Sequence, residues 1–288
     1  MILVAHVLVH NDAWCIGASA RAMLRYCDDM IIGLHASTDG TEDVLEDLSR
    51  EHPGRVTVVE QDSCFPKEDL PIEQAGGVFR RGHLGKLAVR MGATHVLGVD
   101  SDEVVTANVA GQMRDLAQQG VVYLPWVSMW RSLDTYRETW RQMMPFAYPV
   151  DGKSHWIGSG HGRFPADVAA LPYPPEPHVS YGTGGVMHLA YLSERRLMWK
   201  RLMYRIHERL WYPKADSAAI NAKFSESIGR PSDDEMKPVS PSWWTGLEDV
   251  RGMLRPDDRP WHEDECRRLV AEHGMSVLDG LDLGGCAL

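Results

Sequence analysis

The stretch Thr94-His-Val-Leu-Gly-Val-Asp-Ser-Asp-Glu103 decides how this chain reads. His95 to Val99 is an apolar run of strand length, and Asp100, Ser101, Asp102 and Glu103 follow with no spacer. A buried strand ending this way holds three carboxylates at the edge of a sheet, where open α/β sheets bind their ligands. Carboxylates so close repel one another, which calls for a cation or a set of donors nearby. Oxygen ligands suit a hard divalent ion that keeps open positions for phosphate oxygens. The alternative is a merely solvated acidic turn.

Working outward, the spacing predicts a helix over Gly77–Met91 that carries Arg80, Arg81, His83, Lys86 and Arg90 into this strand. Further upstream, strands at Ile2–Val9, Met30–Leu34 and Val56–Glu60 alternate with helices at Cys15–Tyr26 and Glu42–Glu51, the second capped by Thr41. That alternation predicts a parallel sheet flanked by helices. Downstream come a helix over Thr106–Gln118 and a strand over Val121–Trp126. Val127 to His188 then dissolves into short strands and Gly/Pro-rich loops, where binding residues often sit.

Ser193–Leu210 is the clearest helix, with Met198, Trp199, Leu202, Met203, Ile206 and Leu210 on one face. Arg201, Arg205 and Arg209 form a stripe beside that face, expected to be solvated or to meet an anionic partner. Tyr212–Trp244 reads as a linker or draped loop, Glu263–His273 as a last helix, and the tail from Gly284 as mobile.

With 288 residues, 44% hydrophobic and 24% charged, the chain has ordinary globular composition, enough for one large or two closely joined domains. A net charge of −10 argues against a general nucleic-acid coat. Cys15, Cys27, Cys64, Cys266 and Cys286 form no CxxC pair and suit a reducing compartment. The apolar N-terminus lacks a basic flank and is too short to span a bilayer, as is every later segment. The expectation is a soluble, cytoplasmic protein.

Four features in order carry a resemblance: a first strand ending in Asn11-Asp12, the loop Ser37-Thr-Asp-Gly-Thr41, an Arg-bearing helix, and Asp100-Ser-Asp-Glu103. Together they resemble glycosyltransferase family 2, whose nucleotide-sugar-binding fold is called GT-A. Lys153 to Gly162 resembles the Trp–Gly–His stretch of one branch. His188-Leu-Ala-Tyr191 with Arg195, Lys200 and Tyr204 resembles that branch's later His…Arg…Lys…Tyr block.

The resemblance implies a GT-A-type α/β fold with a mostly parallel central sheet. A catalytic domain would span residues 1–190, and a helical extension over 191–288 would cover the acceptor side. It implies transfer of a sugar from a nucleoside diphosphate donor to an acceptor hydroxyl, with inversion and with Mn²⁺ or Mg²⁺. Asp102 would be the main metal ligand, with Asp100 touching the ribose or the metal's water shell and His188 a further ligand. The donor side would comprise His10, Asn11, Asp12, Asp39, Arg80, Arg81, Lys86, Asp100 and Ser101, the arginines suiting phosphate oxygens. Trp126, Trp130, Arg163, Arg195 and Lys200 would lie on the acceptor side. An anionic acceptor, such as a lipid phosphate or nucleic acid, could meet the basic helix over 195–209.

Two positions depart from the family. Members commonly place before the Ser-Thr-Asp-Gly-Thr loop an Asp that accepts a hydrogen bond from uracil. Here those positions are Leu34, His35 and Ala36, so no uracil-reading carboxylate carries over, and Asp39 is expected to organise the turn instead. The related branch also has Glu directly after its histidine, where this chain has Gly162 after His161. Asp167 and His161 flank that change and are the candidate bases, with Asp151 and Glu138 as further possibilities.

Other classes stay in view. The same carboxylates could serve a metal-dependent hydrolase of a phosphorylated or nucleotide substrate, or a silent nucleotide- or sugar-binding module. His155, His161, His178 and His188 could gather zinc with Asp102, though their spacing matches no HExxH or CxxC arrangement. His10 to Gly17 lacks the GxGxxG of a dinucleotide oxidoreductase. Trp126, Trp130 and Trp140 could stack on a sugar, and Trp243 and Trp244 could line a lid.

Overall fold

Leu3, Val4, Ala5 and Val7 are fully buried, which makes β1 (Leu3–Val9) the inner strand of a parallel half-sheet in the computed structural model. The structure describes residues 1–61, 75–154, 163–172, 174, 176–226, 235–256 and 259–288. β1 pairs on one side with β2 (Asp29–Leu34), which pairs in turn with β3 (Val56–Glu60). On its other side β1 pairs with β4 (His95–Asp100), and all three pairings are parallel. Near-continuous apolar strands are what a parallel sheet covered on both faces requires. The cover comes from α1 (Ala13–Met23), α2 (Thr41–Glu51) and α3 (Ala75–Arg90).

At α2 the expected cap moves by one residue. Gly40, with φ of 89°, takes the N-cap position, where a left-handed backbone favours glycine over threonine. Thr41 becomes the first helical residue, and Asp39 Oδ1 accepts from both its backbone N (3.0 Å) and its hydroxyl (2.6 Å).

Beyond β4 the sheet turns mixed. β5 (Glu103–Val105), α4 (Ala107–Ala110), α5 (Met113–Gln118), β6 (Val122–Met129) and β7 (Thr135–Pro149) follow in the chain. α6 (Ala166–Ala169) and β8 (Val186–His188) come next, and the sheet order runs β3-β2-β1-β4-β7-β6-β8-β5. The single helix expected over 106–118 breaks at Gly111-Gln112. The region expected to hold only short strands contains β7, 15 residues long. β7 pairs with β4 and β6 and with a later strand, with register shifts against β6, so no single alternation runs through it.

The C-terminal part adds α7 (Glu194–Trp211), α8 (Ser217–Glu226), β9 (Met236–Pro238), α9 (Glu248–Met253) and α10 (Trp261–His273). Ser193 Oγ caps α7 by accepting from Arg196 N at 3.2 Å. β9 joins the sheet beside β7, so the stretch expected as a linker holds a helix and a strand. Trp243 and Trp244 are buried among Val104, Met187 and Leu189 and belong to the core rather than to a lid.

The arginine stripe of α7 also turns inward. Arg205, 2% exposed, donates to Asp282 O (2.7 Å), and Arg209 donates to Ser217 Oγ (2.5 Å). The Arg205 bond and the burial of Leu281 and Cys286 with Trp199, Leu202 and Ile206 dock the tail that was expected to be mobile. Among the described residues no helix is long and apolar enough to cross a membrane.

Candidate functional site

The acidic turn joins β4 to β5. Glu103 opens β5 with its side chain fully buried beneath the turn. Its Oε1 accepts from Arg163 Nη2 (2.7 Å) and Trp126 Nε1 (2.9 Å), and its Oε2 accepts from Asp100 N (3.0 Å). Arg163 comes this close because Gly98 has no side chain: a Cβ there would collide with the Arg163 carbonyl oxygen. That oxygen accepts from the Tyr148 hydroxyl (2.5 Å) and faces His6 Nε2 at 3.2 Å.

Asp100 gives one carboxylate oxygen to Arg81 and the other to Arg163. Burial opposes its charge, but the two guanidinium groups prevail and hold its pKa at about 2. For Glu103, burial outweighs Arg163 and pushes the carboxyl upward.

Asp102 faces the other way. The β5–β8 pairing sets Glu103 opposite His188, and Leu189 N donates to Asp102 O at 2.8 Å. His188 Nε2 thereby lies 3.4 Å from Asp102 Oδ2. Burial works against the Asp102 charge, yet His188, Lys200 and Arg196 hold its carboxyl far below the usual range.

Between the two aspartates, Ser101 Oγ donates to Asp12 Oδ2 (2.6 Å), tying the acidic turn to the end of β1. Asp12 Oδ1 meets Arg196 of α7 at 2.5 Å and accepts from Trp14 Nε1 at 3.3 Å. Asn11, at φ 51°, accepts from Thr38 N (2.7 Å), and Ala13 N donates to Asp39 Oδ2 (3.0 Å). The loops after β1 and β2 are thus stapled together as one edge of the site.

Beside these elements lies an open cleft of about 810 Å³, which Asn11, Asp12, Ser101 and Asp102 do not themselves line. Arg81, Asp100, Trp126, Arg163, His188, Lys200 and Tyr204 line it, with Gln142, Met143 and Met144 of β7. Trp126 lies with its ring centroid 4.3 Å from that of His188. Tyr204 raises the Lys200 pKa against desolvation, so the ammonium stays charged.

The remaining candidates scatter. His10 packs against His35 and Trp261, at 4.9 and 4.6 Å between ring centroids. Arg80 is buried and Lys86 exposed, and neither lines the cleft. Arg195 pairs with Glu263 (2.7 Å), and Trp130 is buried against Tyr191. Asp167 is exposed on α6 and does not line the cleft. His155 and His161 lie outside the described residues, as do the side chains of Trp140 and Glu138. His178 accepts from Tyr123 N (3.0 Å), and among the described residues no group of three or more His, Cys, Asp or Glu is placed to hold a metal ion.

Asp102 and His188 nonetheless suit a divalent ion whose other positions a phosphate and water would fill. The carboxylate is ionised, and His188 Nδ1 is buried without a hydrogen-bond partner among the described residues. Asp100 suits this less, because both of its oxygens face guanidinium groups. Arg196 and the buried half of Glu103's network went unnoticed in the sequence. Arg196 meets Asp12 across 184 positions, and no local pattern encodes such a pairing.

No protein-family pattern and no curated protein matches the chain. Among solved structures it is similar to a mannosyltransferase from Pyrobaculum calidifontis in complex with GDP-Man and Mn²⁺, at 15% identity over 94% of this chain and 74% of that one, TM-score 0.42. It is similar to S. aureus TarS at 14% identity over 97% and 55% of the two chains, TM-score 0.39. A glucosyl-3-phosphoglycerate synthase from Mycobacterium tuberculosis matches at 15% identity over 44% of each chain, TM-score 0.30. The chain thus spans less than half the length of that synthase. These neighbours are glycosyltransferases of GT-A type. At such scores the function of this chain rests on its own residues.

Proposed function

We propose that this protein is a metal-dependent nucleotide-sugar glycosyltransferase of GT-A type. One observation carries the reading: an ionised, buried Asp102 beside His188, which lines a cleft that also presents Asp100, Lys200, Arg81, Arg163 and Trp126. A bound Mn²⁺ or Mg²⁺ would neutralise charge on the donor diphosphate as the sugar departs. Asp102 and His188 would hold that ion, and Lys200 would add a fixed positive charge in a partly dehydrated cleft. Asn11, Asp12 and Ser101, joined by the bond from Ser101 Oγ to Asp12 Oδ2, would frame the side on which the nucleoside would lie. Trp126 offers a ring face to a sugar.

Residues 1–190 would form the donor-binding part. The segment from 191 would cover the acceptor side through α7, whose Tyr204 lines the cleft, and a cytoplasmic location fits the free cysteines. Transfer is proposed to proceed by single displacement with inversion, and His161 is the proposed proton acceptor, since Asp167 does not line the cleft. The test is a thermal-shift panel of nucleoside diphosphates with and without Mn²⁺. One nucleotide at a hundredfold excess over Kd should stabilise the protein by about 2.7 kcal/mol, and more with the metal than without. The absence of a shift with every nucleotide would overturn the reading.

A further inference from the structure

β6 and β8 run parallel, and their register sets Trp126 opposite Val186, Val127 opposite Met187 and Ser128 opposite His188. Side chains along a strand alternate between the two faces of the sheet. Val127, Met129, Met187 and Leu189 share one apolar cluster and so mark one face. Trp126, Ser128 and His188 belong to the other, where the Trp126 and His188 rings lie 4.3 Å apart between centroids. Ser128 is thus the lateral neighbour of His188, across a strand spacing of about 4.8 Å.

Both residues are buried, Ser128 at 2% and His188 at 7% exposure. Ser128 Oγ and His188 Nδ1 each lack a hydrogen-bond partner among the described residues. A buried polar group without a partner is costly, and alanine would fill the Ser128 position without that cost. Two such atoms on neighbouring residues of one face call for a bond made in another state of the site.

The chemistry of imidazole identifies that state. His188 Nε2 faces Asp102 Oδ2 at 3.4 Å. In a neutral ring, an Nε2–H aimed at the carboxylate leaves Nδ1 with a lone pair. An Nε2 lone pair aimed at a cation leaves Nδ1 with the proton. A hydroxyl both donates and accepts, so one serine serves either tautomer, which a carboxylate or a carbonyl oxygen cannot do.

We propose that Ser128 is a positioning residue for His188: its hydroxyl turns to accept from Nδ1–H when Nε2 faces a divalent cation held together with Asp102. The proposal rests on the metal-dependent reading above. Trp126 packs against the His188 ring and Tyr191 meets it edge-on, with centroids 5.3 Å apart, so packing sets where the ring lies. Ser128 sets which of its nitrogens carries the proton. Such partners orient a metal-bound histidine and raise its basicity.

Titration of the full chain with Mn²⁺, alone and with each of UDP, GDP, CDP and ADP, followed by water-proton relaxation, tests the assignment. Ser128→Ala should weaken Mn²⁺ binding by about tenfold or more, the usual effect of losing such a partner. Ser128→Thr keeps the hydroxyl and should stay within about threefold of wild type. Wild-type affinity in Ser128→Ala overturns the proposal. So does a Ser128→Thr variant as weak as Ser128→Ala, because the loss would then come from packing. If Ser128→Ala fails to fold by circular dichroism, Ser128→Cys takes its place. Its thiol accepts only weakly, so at least about threefold weakening is expected, and unchanged affinity counts against the role. Asp102→Asn separates this role from the wider reading. Mn²⁺ binding that Asp102→Asn abolishes and Ser128→Ala leaves intact removes the role of Ser128 alone. Absence of Mn²⁺ binding to wild type under every condition removes the metal site, and the role of Ser128 with it.

Discussion

Arg163 Nη2 lies 2.7 Å from Glu103 Oε1, an ion pair whose side chains are 5% and 0% exposed. Asp100 binds the same guanidinium nitrogen and also pairs with Arg81, so two carboxylates share Arg163 beneath the acidic turn. Removing one partner of a buried ion pair leaves uncompensated charge and typically costs about 3–5 kcal/mol. Arg163→Met should lose that much at pH 7 in urea denaturation. The loss should shrink at pH 5, where Glu103, already pushed upward by burial, can take a proton. An equal loss at both pH values would contradict this account of the turn.

Gly98 makes that pair possible by letting the Arg163 backbone lie against β4. Gly98→Ala should lower stability by about 1–3 kcal/mol, as overpacking does. It should also weaken nucleotide binding, because displacing Arg163 disturbs Asp100. Gly54→Ala meets no atom within 4 Å and serves as the control for introducing a methyl group at a glycine. The control carries its own strain from a φ of +79°, so the discriminating measurement is binding: only Gly98→Ala should change it.

His6 sits beside Gly98 in the strand register and is 1% exposed. Burial, then the charge of Arg81, lowers its pKa from 6.5 to about 3. The unfolded chain therefore binds a proton below pH 6.5 that the folded protein refuses until about pH 3. The contribution to stability is complete above pH 6.5 and is lost as pH falls toward 3, at up to about 1.4 kcal/mol per unit. His6→Leu should flatten the dependence of stability on pH across that window, at the cost of about 1 kcal/mol at pH 7 for the lost polar contacts. Asp100, with its pKa depressed to about 2, adds a loss only further down, between about pH 4 and pH 2.

The parallel half of the sheet was legible because each strand there is covered on both faces and reads as an unbroken apolar run. β3 matches its expected bounds, and β1, β2 and β4 do so within one residue. β7 escaped because three partners impose three local patterns on one strand. Of the residues singled out from sequence, Arg81, Asp100, Trp126, Arg163, His188 and Lys200 line the cleft, since strand ends deliver side chains to a predictable edge. Arg196, and the inward turn of Arg205 and Arg209, could not be read from sequence. A helical arginine looks the same in sequence whether it meets water, Asp12 or the docked tail.

Asp100 and Asp102 share a turn but should fail differently when neutralised. Asp100 accepts from Arg81 and Arg163, so Asp100→Asn removes a carboxylate partner of Arg81 and leaves Arg163 with Glu103 alone. It should cost about 2–4 kcal/mol of stability, the range expected for breaking a buried charge pair in part. Whatever nucleotide binding survives should still increase with Mn²⁺. Asp102 meets His188 at 3.4 Å, with Lys200 and Arg196 acting on it through charge, so its neutralisation breaks no close pair with a guanidinium, and its oxygens carry the proposed metal site. Asp102→Asn should stay within about 1 kcal/mol of wild type in the absence of ligand. It should abolish the extra stabilisation that Mn²⁺ gives to nucleotide binding, as thermal shift would read directly. If Mn²⁺ dependence instead vanished in Asp100→Asn and survived in Asp102→Asn, the two aspartates would have exchanged roles, and the Asp102–His188 pair would not be the metal site.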